Sequence, residues 1–397
     1  MSRDPESLVG SQPVLDVGAV AHGGSCVARW DGRVVFVRHA LPGERVRVLV
    51  TEGDEDSRFL RADAVEVLTS GNGRTTAPCP HSGPGRCGGC DFQHVTPRRQ
   101  RELLAAVVQE QMSRLGGIEV EVTVQAVQPD DLGWRTRIGW TVGAGGVGLR
   151  RHRSHDVEPV DRCLIAHPAL AVPPEPPPGV TRLDVSVSSA GERSVLADGR
   201  RLEGRSRLVE RVGDREFRVS DAGFWQVHPH AAETLVRTVL ELGRPAPGER
   251  AVDLYAGVGL FSAFLGEQVG PQGRVVLVEA DAASVRDARR NLHDQPQVAI
   301  VHAPVEHALA TGRCGEHADL VVLDPPRTGA RAKVVRRVAT LRPDRLVYVA
   351  CDPAALARDV ATFVGLGYRL AELRAFALFP MTSHVECVAL LEPAQRG

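Results

Sequence analysis

The densest apolar pattern in the chain runs from position 251 to 281, and its period changes twice. Val252 to Tyr255 is a short run suited to a buried strand, Gly257 and Gly259 interrupt it with a turn lacking β-carbons, and Leu260 to Val269 is apolar enough for a buried helix. Arg274–Val278 returns to a strand-like run and ends in Glu279, which completes the opening of a βαβ unit. Further strand-length runs follow at α/β spacing: Val298–His302, Leu320–Leu323, Arg345–Ala350 and His384–Leu391, with Leu370–Leu378 before the last. The predicted fold class is α/β, an open, mostly parallel, doubly wound (Rossmann-like) sheet within 216–397. Ligands are expected beyond the carboxyl ends of its strands.

Upstream the period is shorter. Val14–Val20, Arg33–Val37 and Arg45–Thr51 alternate between Gly23-Gly24, Asp31-Gly32 and Leu41-Pro42-Gly43-Glu44, which predicts a small β-barrel over 8–68. Pro97 to Leu115 has helical spacing, with Leu103, Leu104, Val107, Val108 and Met112 on one stripe. From about 118 to 215 the pattern is strand-like again, beginning with Glu119–Val124, so 69–215 reads as a loop, a helix and a central β-rich unit. Ala231 to Leu242 is a further helix. In the stretch before it, Gln226 is a polar residue in an otherwise apolar strand, and its missing partner could be a ligand.

At 397 residues the chain has room for two or three domains. Its net charge of −1 means that any nucleic-acid partner must be held by local patches. Arg135, Arg137, Arg150, Arg151 and Arg153 are candidate phosphate contacts. Lys333 is the only lysine, a skew that fits GC-rich coding better than recognition. No apolar stretch approaches a membrane span and the start, Met1-Ser-Arg-Asp-Pro-Glu, has no signal-peptide pattern, so a cytoplasmic location is expected. The eight cysteines are then expected to be metal ligands or catalytic groups rather than disulfides.

Three of them share a glycine-rich loop, Cys79-Pro-His-Ser-Gly-Pro-Gly-Arg-Cys87-Gly-Gly-Cys90, and Cys163 is the natural fourth partner. Four thiolates complete either a [4Fe–4S] cluster or a tetrahedral zinc site. Zinc usually takes paired knuckles, so the three-plus-one arrangement points to the cluster. Cys351 leaves a strand just before Asp352-Pro353, which have the form of a helix N-cap and first helical residue. A thiol at a helix N-terminus is expected to ionise below its ordinary pKa, with the Asp352 carboxylate opposing that shift. Glu386 interrupts an apolar strand and is a candidate general base, its pKa raised by burial. Cys26, Cys314 and Cys387 fit buried structural roles. Only Gly257-x-Gly259 of the three-glycine dinucleotide pattern is present, which favours a nucleoside without pyrophosphate, S-adenosylmethionine rather than NAD, with Glu279 placed for the ribose hydroxyls.

The phrase Val-Phe-Val-Arg-His-Ala-Leu-Pro-Gly-Glu (35–44) resembles the TRAM domain, an oligonucleotide-binding-type barrel. Asp253-Leu-Tyr-Ala-Gly-Val-Gly, Leu323-Asp-Pro-Pro-Arg-Thr-Gly, Val349-Ala-Cys-Asp-Pro-Ala-Ala-Leu-Ala-Arg-Asp and Phe379-Pro-Met-Thr-Ser-His-Val-Glu resemble, in that order, the RNA (uracil-5-)-methyltransferases. The barrel and the four cysteines are most similar to the iron–sulfur ribosomal RNA branch. The resemblance implies a class I methyltransferase domain and an S-adenosylmethionine-dependent enzyme acting on structured RNA, 23S rRNA being favoured, as a monomer. It also implies that Cys351 is the nucleophile and Glu386 the base, and that Gln226, Tyr255, Glu279 and Asp324 line the cofactor and target site with the Gly257 and Gly259 turn. Asp324 and Arg327 are placed to read the uracil edge. Members of the family often have asparagine where Asp352 and Leu260 stand, and a shorter first spacing in the cysteine loop. A tRNA enzyme, a small-molecule C-methyltransferase and a non-enzymatic RNA-binding or cluster-sensing protein are the competing readings.

Overall fold

The computed structural model describes residues 6–394; the first five residues, which bear on the signal-peptide reading, and 395–397 lie outside the described residues. The N-terminal strands are β1 (Val14–Asp16), β2 (Cys26–Trp30), β3 (Arg33–Arg38), β4 (Arg45–Glu52) and β5 (Phe59–Thr69), in the order β1-β4-β5-β3-β2. Periodicity finds β1, β3 and β4 but not β2 and β5. β5 carries Arg61, Asp63 and Glu66 among its apolar residues, which blurs its alternation. Buried Val35, Val37, Val46, Val48 and Leu60 fill the barrel.

Glu44, which is 1% exposed, ties the barrel to the segment that begins the central unit. Its carboxylate accepts from Leu41 N at 2.8 Å, Gly71 N at 3.0 Å and Arg74 Nη2 at 2.7 Å. These partners outweigh burial and hold its pKa below the usual carboxylate value.

The helix α1 (Pro97–Gly116) begins with Pro97 in the first turn and ends at Gly117, which caps it at φ 64°. Its predicted apolar stripe is buried and packs on the C-terminal domain. Strand β6 (Val124–Ala126) pairs in parallel with a strand of that domain, so the run 119–124 does not open the central unit as its pattern suggested. A three-residue strand carries no mark of the sheet it will join. The central unit is an antiparallel sheet of β7 (Arg137–Gly143), β8 (Gly146–Arg150), β9 (Val157–Pro159), β10 (Arg182–Val187), β11 (Arg193–Ala197) and β12 (Arg200–Glu203), ordered β12-β11-β10-β7-β8-β9. Trp134, Trp140, Leu183 and Val185 form its core together with Cys163. A hairpin, β13 (Arg207–Val212) and β14 (Arg215–Ser220), leads out of it.

The last unit runs α2 (Ala231–Gly243), β15 (Arg250–Leu254), α3 (Leu260–Val269), β16 (Arg274–Glu279), α4 (Ala282–Asn291), β17 (Val298–His302), α5 (Val305–Ala310), β18 (Leu320–Leu323), α6 (Arg331–Thr340), β19 (Arg345–Ala350), α7 (Pro353–Gly365), β20 (Tyr368–Ala377) and β21 (Glu386–Pro393). The sheet order is β17-β16-β15-β18-β19-β21-β20-β6. β17 through β19 are parallel, and β21 runs antiparallel between β19 and β20. Alternating βα units bury both faces of the sheet, and the chain reverses its direction of travel across it between β15 and β18. The crevice at that switch point is where such a fold receives ligands. Among the described residues no helix is long and apolar enough to cross a membrane.

Removing the Glu44 carboxylate leaves Arg74 and two amides without their acceptor. Glu44→Ala is expected to cost about 3 kcal/mol, read as a lower urea midpoint. Because folding depresses the pKa of Glu44, its contribution is present above the unfolded-state value and is lost as pH falls through the folded one. The gap between wild type and Glu44→Ala should therefore narrow in acid; a gap that does not change with pH would refute the charge-based account.

Candidate active site

β15 ends in a sharp turn. Tyr255 sits at φ 64° and Gly257 at φ 55°, and nothing lies within 4 Å of where a Gly257 β-carbon would be, so the backbone faces open space. Holding an aromatic residue in left-handed conformation costs roughly 1 kcal/mol, strain of the kind that collects at functional sites. Gly259, at φ 90°, has a backbone conformation that favours glycine, and a β-carbon there would also stand 2.8 Å from Leu292 Cδ1 and displace that side chain. Glu279, at the end of β16, accepts from Gly257 N at 2.9 Å and from Ala280 N and Asp281 N, each at 2.7 Å. These bonds fix the turn against the second strand.

Asp253 is absent from the candidates drawn from sequence, although an acid in the run Ala-Val-Asp-Leu gives the same signal that marks Glu386. It is fully buried on β15. Oδ2 accepts from Ser262 N at 2.9 Å and Ser262 Oγ at 2.6 Å, while Oδ1 has no partner among the described residues. Burial, with the Glu279 charge adding to it, pushes its pKa up to about 7 despite the serine. Asp324 follows β18, its amide donating to Leu254 O at 3.3 Å. Burial and the neighbouring Asp253 raise it to about 7 as well. Gln226 lies in a loop rather than the strand predicted for it.

In the β19–β21 ladder Ala350 pairs with Cys387, so Cys351 and Glu386 leave it opposite each other. Glu386 is 4% exposed. Burial and Asp324 raise its pKa well above the ordinary value, and Arg327 works against them. Asp352 does cap α7, accepting from Ala355 N at 2.8 Å, and Pro353 opens the helix, so the predicted position of the thiol is correct. The predicted lowering of its pKa is not. Burial first, then Glu386, Asp324 and Asp352, push Cys351 up to about 11 against Arg327, because three carboxyls and a dry site outweigh a half-charge of helix dipole.

Two loops around these groups are held from outside the sheet. Asp359 on α7 accepts from Tyr348 Oη at 2.6 Å, Ala330 N at 2.7 Å and Arg331 N at 3.2 Å, which fastens the end of the loop carrying Asp324 and Arg327. The β20–β21 loop contains Met381 at φ 66°. Met381 N donates to Gln100 Oε1 at 2.9 Å, Met381 O accepts from Asp91 N at 2.9 Å and Phe92 N at 3.0 Å, and Asp91 Oδ2 accepts from Ser383 N at 2.9 Å. Arg327 Nη2 reaches His384 Nε2 at 3.3 Å.

Cys79, Cys87, Cys90 and Cys163 lie close enough together for their charges to influence one another. Among the described residues no three His, Cys, Asp or Glu side chains close on a single metal ion. Gly89 N approaches Cys87 Sγ at 3.5 Å and Gln93 Nε2 approaches Cys90 Sγ at 3.4 Å. Cys26, Cys314 and Cys387 are buried, as expected. Of the candidate phosphate contacts, Arg137 is excluded: it is enclosed, with Nη1 donating to Gly223 O at 2.7 Å and Nη2 3.5 Å from Glu210. Arg151 and Arg153 instead line a groove with Arg38, Arg61, Arg86 and Phe36, where the barrel meets the cysteine loop.

The switch-point crevice, the glycine turn and the sheet order define a class I methyltransferase. The TRAM domain family matches residues 6–65, the methyltransferase small domain 229–344 and the tRNA (uracil-5-)-methyltransferase family 315–394. An uncharacterized RNA methyltransferase of Streptomyces coelicolor is 48% identical, with 99% of this chain and 95% of that protein covered. The 23S rRNA (uracil(1939)-C(5))-methyltransferase RlmD of Alkalilimnicola ehrlichii is 32% identical, with 95% and 96% covered. The crystal structure of the Pyrococcus abyssi tRNA (uracil-54, C5)-methyltransferase in complex with S-adenosyl-L-homocysteine has the same fold, with TM-score 0.71 at 23% identity over 96% of this chain and 99% of that one. The chain belongs to the RNA (uracil-5-)-methyltransferase family.

Asp253 yields a test of the buried charge. A carboxyl whose pKa is raised by folding holds its proton more tightly in the folded state, so its share of stability falls as pH rises from about 4 to about 7. Asp253→Asn is expected to match wild type in urea midpoint near about pH 4 and to exceed it near about pH 8. A lower midpoint at the higher pH would mean that the charged form is stabilised here.

Proposed function

We propose that this chain transfers a methyl group from S-adenosylmethionine to C5 of a uridine in structured RNA, 23S rRNA in preference to tRNA, through a covalent step at Cys351. One observation carries the reading: a half-buried thiol and a buried carboxyl, Cys351 and Glu386, stand opposite each other at the ends of the neighbouring strands β19 and β21. The named activity of the relative from Alkalilimnicola supports the 23S rRNA choice. The cofactor fits the residues present, since Gly257 opens onto empty space and Asp253 keeps, among the described residues, an unpartnered oxygen. Gln226, Tyr255, Gly257, Gly259, Glu279 and Asp324 would hold it, and bound there it supplies an electrophilic methyl group.

C5 of uracil is too weak a nucleophile to take that methyl group unaided. Cys351 adds to C6 and pushes an electron pair towards C5, which then accepts the methyl group. Glu386 removes the C5 proton, the C5–C6 double bond re-forms and the cysteine leaves. With its pKa raised, Glu386 is a stronger base than an exposed carboxylate. Asp324 accepts from N3–H and Arg327 donates to O4, an arrangement that cytosine reverses. A paired base cannot enter this crevice, so the target must be flipped or unpaired. Cys79, Cys87, Cys90 and Cys163 would hold a [4Fe–4S] cluster that ties together a loop poor in apolar residues. The working division is a barrel over 8–68, the cysteine-bearing central unit over 69–215 and the catalytic domain over 216–397, acting as a cytoplasmic monomer.

The two catalytic roles separate by mutation. Cys351→Ala should give neither product nor protein–RNA adduct, whereas Glu386→Gln should accept the methyl group, stall before elimination and accumulate an adduct that survives denaturation. If wild type with 5-fluorouridine RNA and Glu386→Gln with normal RNA both fail to give a Cys351-dependent adduct, the covalent mechanism is wrong. Mapping 5-methyluridine in RNA from cells with and without the protein decides between rRNA and tRNA. Anaerobically purified protein should contain iron, and Cys163→Ser should lose both the metal and much of the soluble yield; zinc without iron would remove the cluster.

A further inference from the structure

The turn Ala21–Ser25 of the barrel, closed by Ala21 N to Ser25 O at 2.7 Å and Gly24 N to Ala21 O at 3.0 Å, lies against the active site. A β-carbon on Gly24 would stand 2.6 Å from Ser383 Cβ and 3.2 Å from Phe92 Cζ, so this glycine sets how closely the barrel approaches the β20–β21 loop. The same turn presents His22, whose Nε2 lies 3.1 Å from Asp352 Oδ2. Asp352 is the residue after Cys351 and uses its other oxygen to cap α7. One turn of a remote domain thus meets both loops that carry the proposed catalytic pair.

We propose that His22 is a positioning residue for the thiol chemistry: as an imidazolium it compensates the Asp352 carboxylate, so that Cys351 can ionise beside it, and it makes that compensation depend on the docked barrel. The inference rests on Cys351 being the nucleophile. Asp352 bonded only to its helix would present a full negative charge to the neighbouring sulfur and raise its pKa. Around His22 the relevant groups are Asp352 and Arg358 on α7, Glu110 on α1 and His384 on the β20–β21 loop. The Asp352 hydrogen bond leads in raising the pKa of His22, burial works against it, Asp352 and Glu110 charges add to the rise, and Arg358 opposes it. The folded pKa is raised, so the positive charge is present below it and is lost as pH climbs through it. Asp352, with its pKa lowered, stays ionised over the same range. The pair is partly exposed, with side chains 42% and 23% accessible, so its effect on the thiol is a modest factor.

The test is alkylation of Cys351 by iodoacetamide, read at that residue by peptide mass spectrometry in full-length protein from about pH 6 to about pH 9. In wild type the logarithm of the rate should rise with pH, with an interval of reduced slope where His22 loses its proton. His22→Ala should alkylate about two- to fivefold more slowly below that interval, match wild type above it and lose the interval. His22→Arg, a cation at every pH, should keep the faster rate throughout. In an Asp352→Asn background His22→Ala should change nothing. Equal rates for His22→Ala and wild type below the interval, or an equal loss in both backgrounds, would overturn the inference. The assay contains no RNA and no methyl donor, so its outcome is distinct from a failure of the adduct experiment, which would remove the covalent mechanism itself.

Discussion

The crowding of acidic groups in a low-dielectric pocket is the constraint on which the active end of the sheet depends. Asp253, Asp324 and Glu386 sit on or just beyond β15, β18 and β21, and each raises or is raised by a neighbour in that set. Arg327 is the cation that opposes them at both Glu386 and Cys351. Desolvation and mutual repulsion then favour protons on the carboxyls and on the sulfur. With its pKa pushed up to about 11, the Cys351 thiol keeps its proton at neutral pH. Left to themselves, these groups are therefore at rest. A sulfonium cofactor would bring positive charge among them, and a uracil would bring polar edges for Asp324 and Arg327.

A pocket that repels its own side chains must be braced from outside. The braces come from every part of the chain: Asp359 from α7, Gln100 from α1, Asp91 and Phe92 from the segment after the cysteines, and His22 from the barrel. Each holds backbone amides, carbonyls or a capping carboxylate rather than the reacting atoms, so the proposed catalytic groups keep their own hydrogen-bonding capacity for the substrate. The N-terminal barrel thus touches both loops that carry the proposed catalytic pair.

The legible parts of this molecule are those in which one physical effect dominates. α3 is legible to the residue because an apolar run bounded by two glycine turns has one local solution. The switch-point crevice and the positions of Cys351 and Glu386 follow from the α/β spacing, since strand ends in such a sheet collect ligands whatever the side chains. The thiol's pKa is not legible, because its sign is a contest between a local helix dipole and burial joined by two carboxyls, Glu386 and Asp324, drawn from other strands. β6 and the loop around Gln226 mislead for a related reason: short segments take their conformation from whatever they dock on. His22 and Gln100 leave no trace, since a polar residue on a turn or a helix reads as solvated until its partner more than 280 positions away is known.

The distant cysteines acquire a physical link to the reaction through the same braces. Met381 is held in a left-handed conformation that costs a bulky residue roughly 1 kcal/mol, and it sits five positions before Glu386. Two of the bonds that keep it there come from the amides of Asp91 and Phe92, directly after Cys90. The loop from Cys79 to Cys90 has little apolar surface of its own, and it is joined to the central unit by Gly88 N donating to Arg150 O at 3.0 Å and by His81 Nε2, 2.6 Å from Asp161 Oδ1. Losing that junction would free the Asp91 and Phe92 amides, let Met381 relax and shift the start of β21. A change in the cysteine loop is thereby carried through Met381 to the start of the strand that holds Glu386.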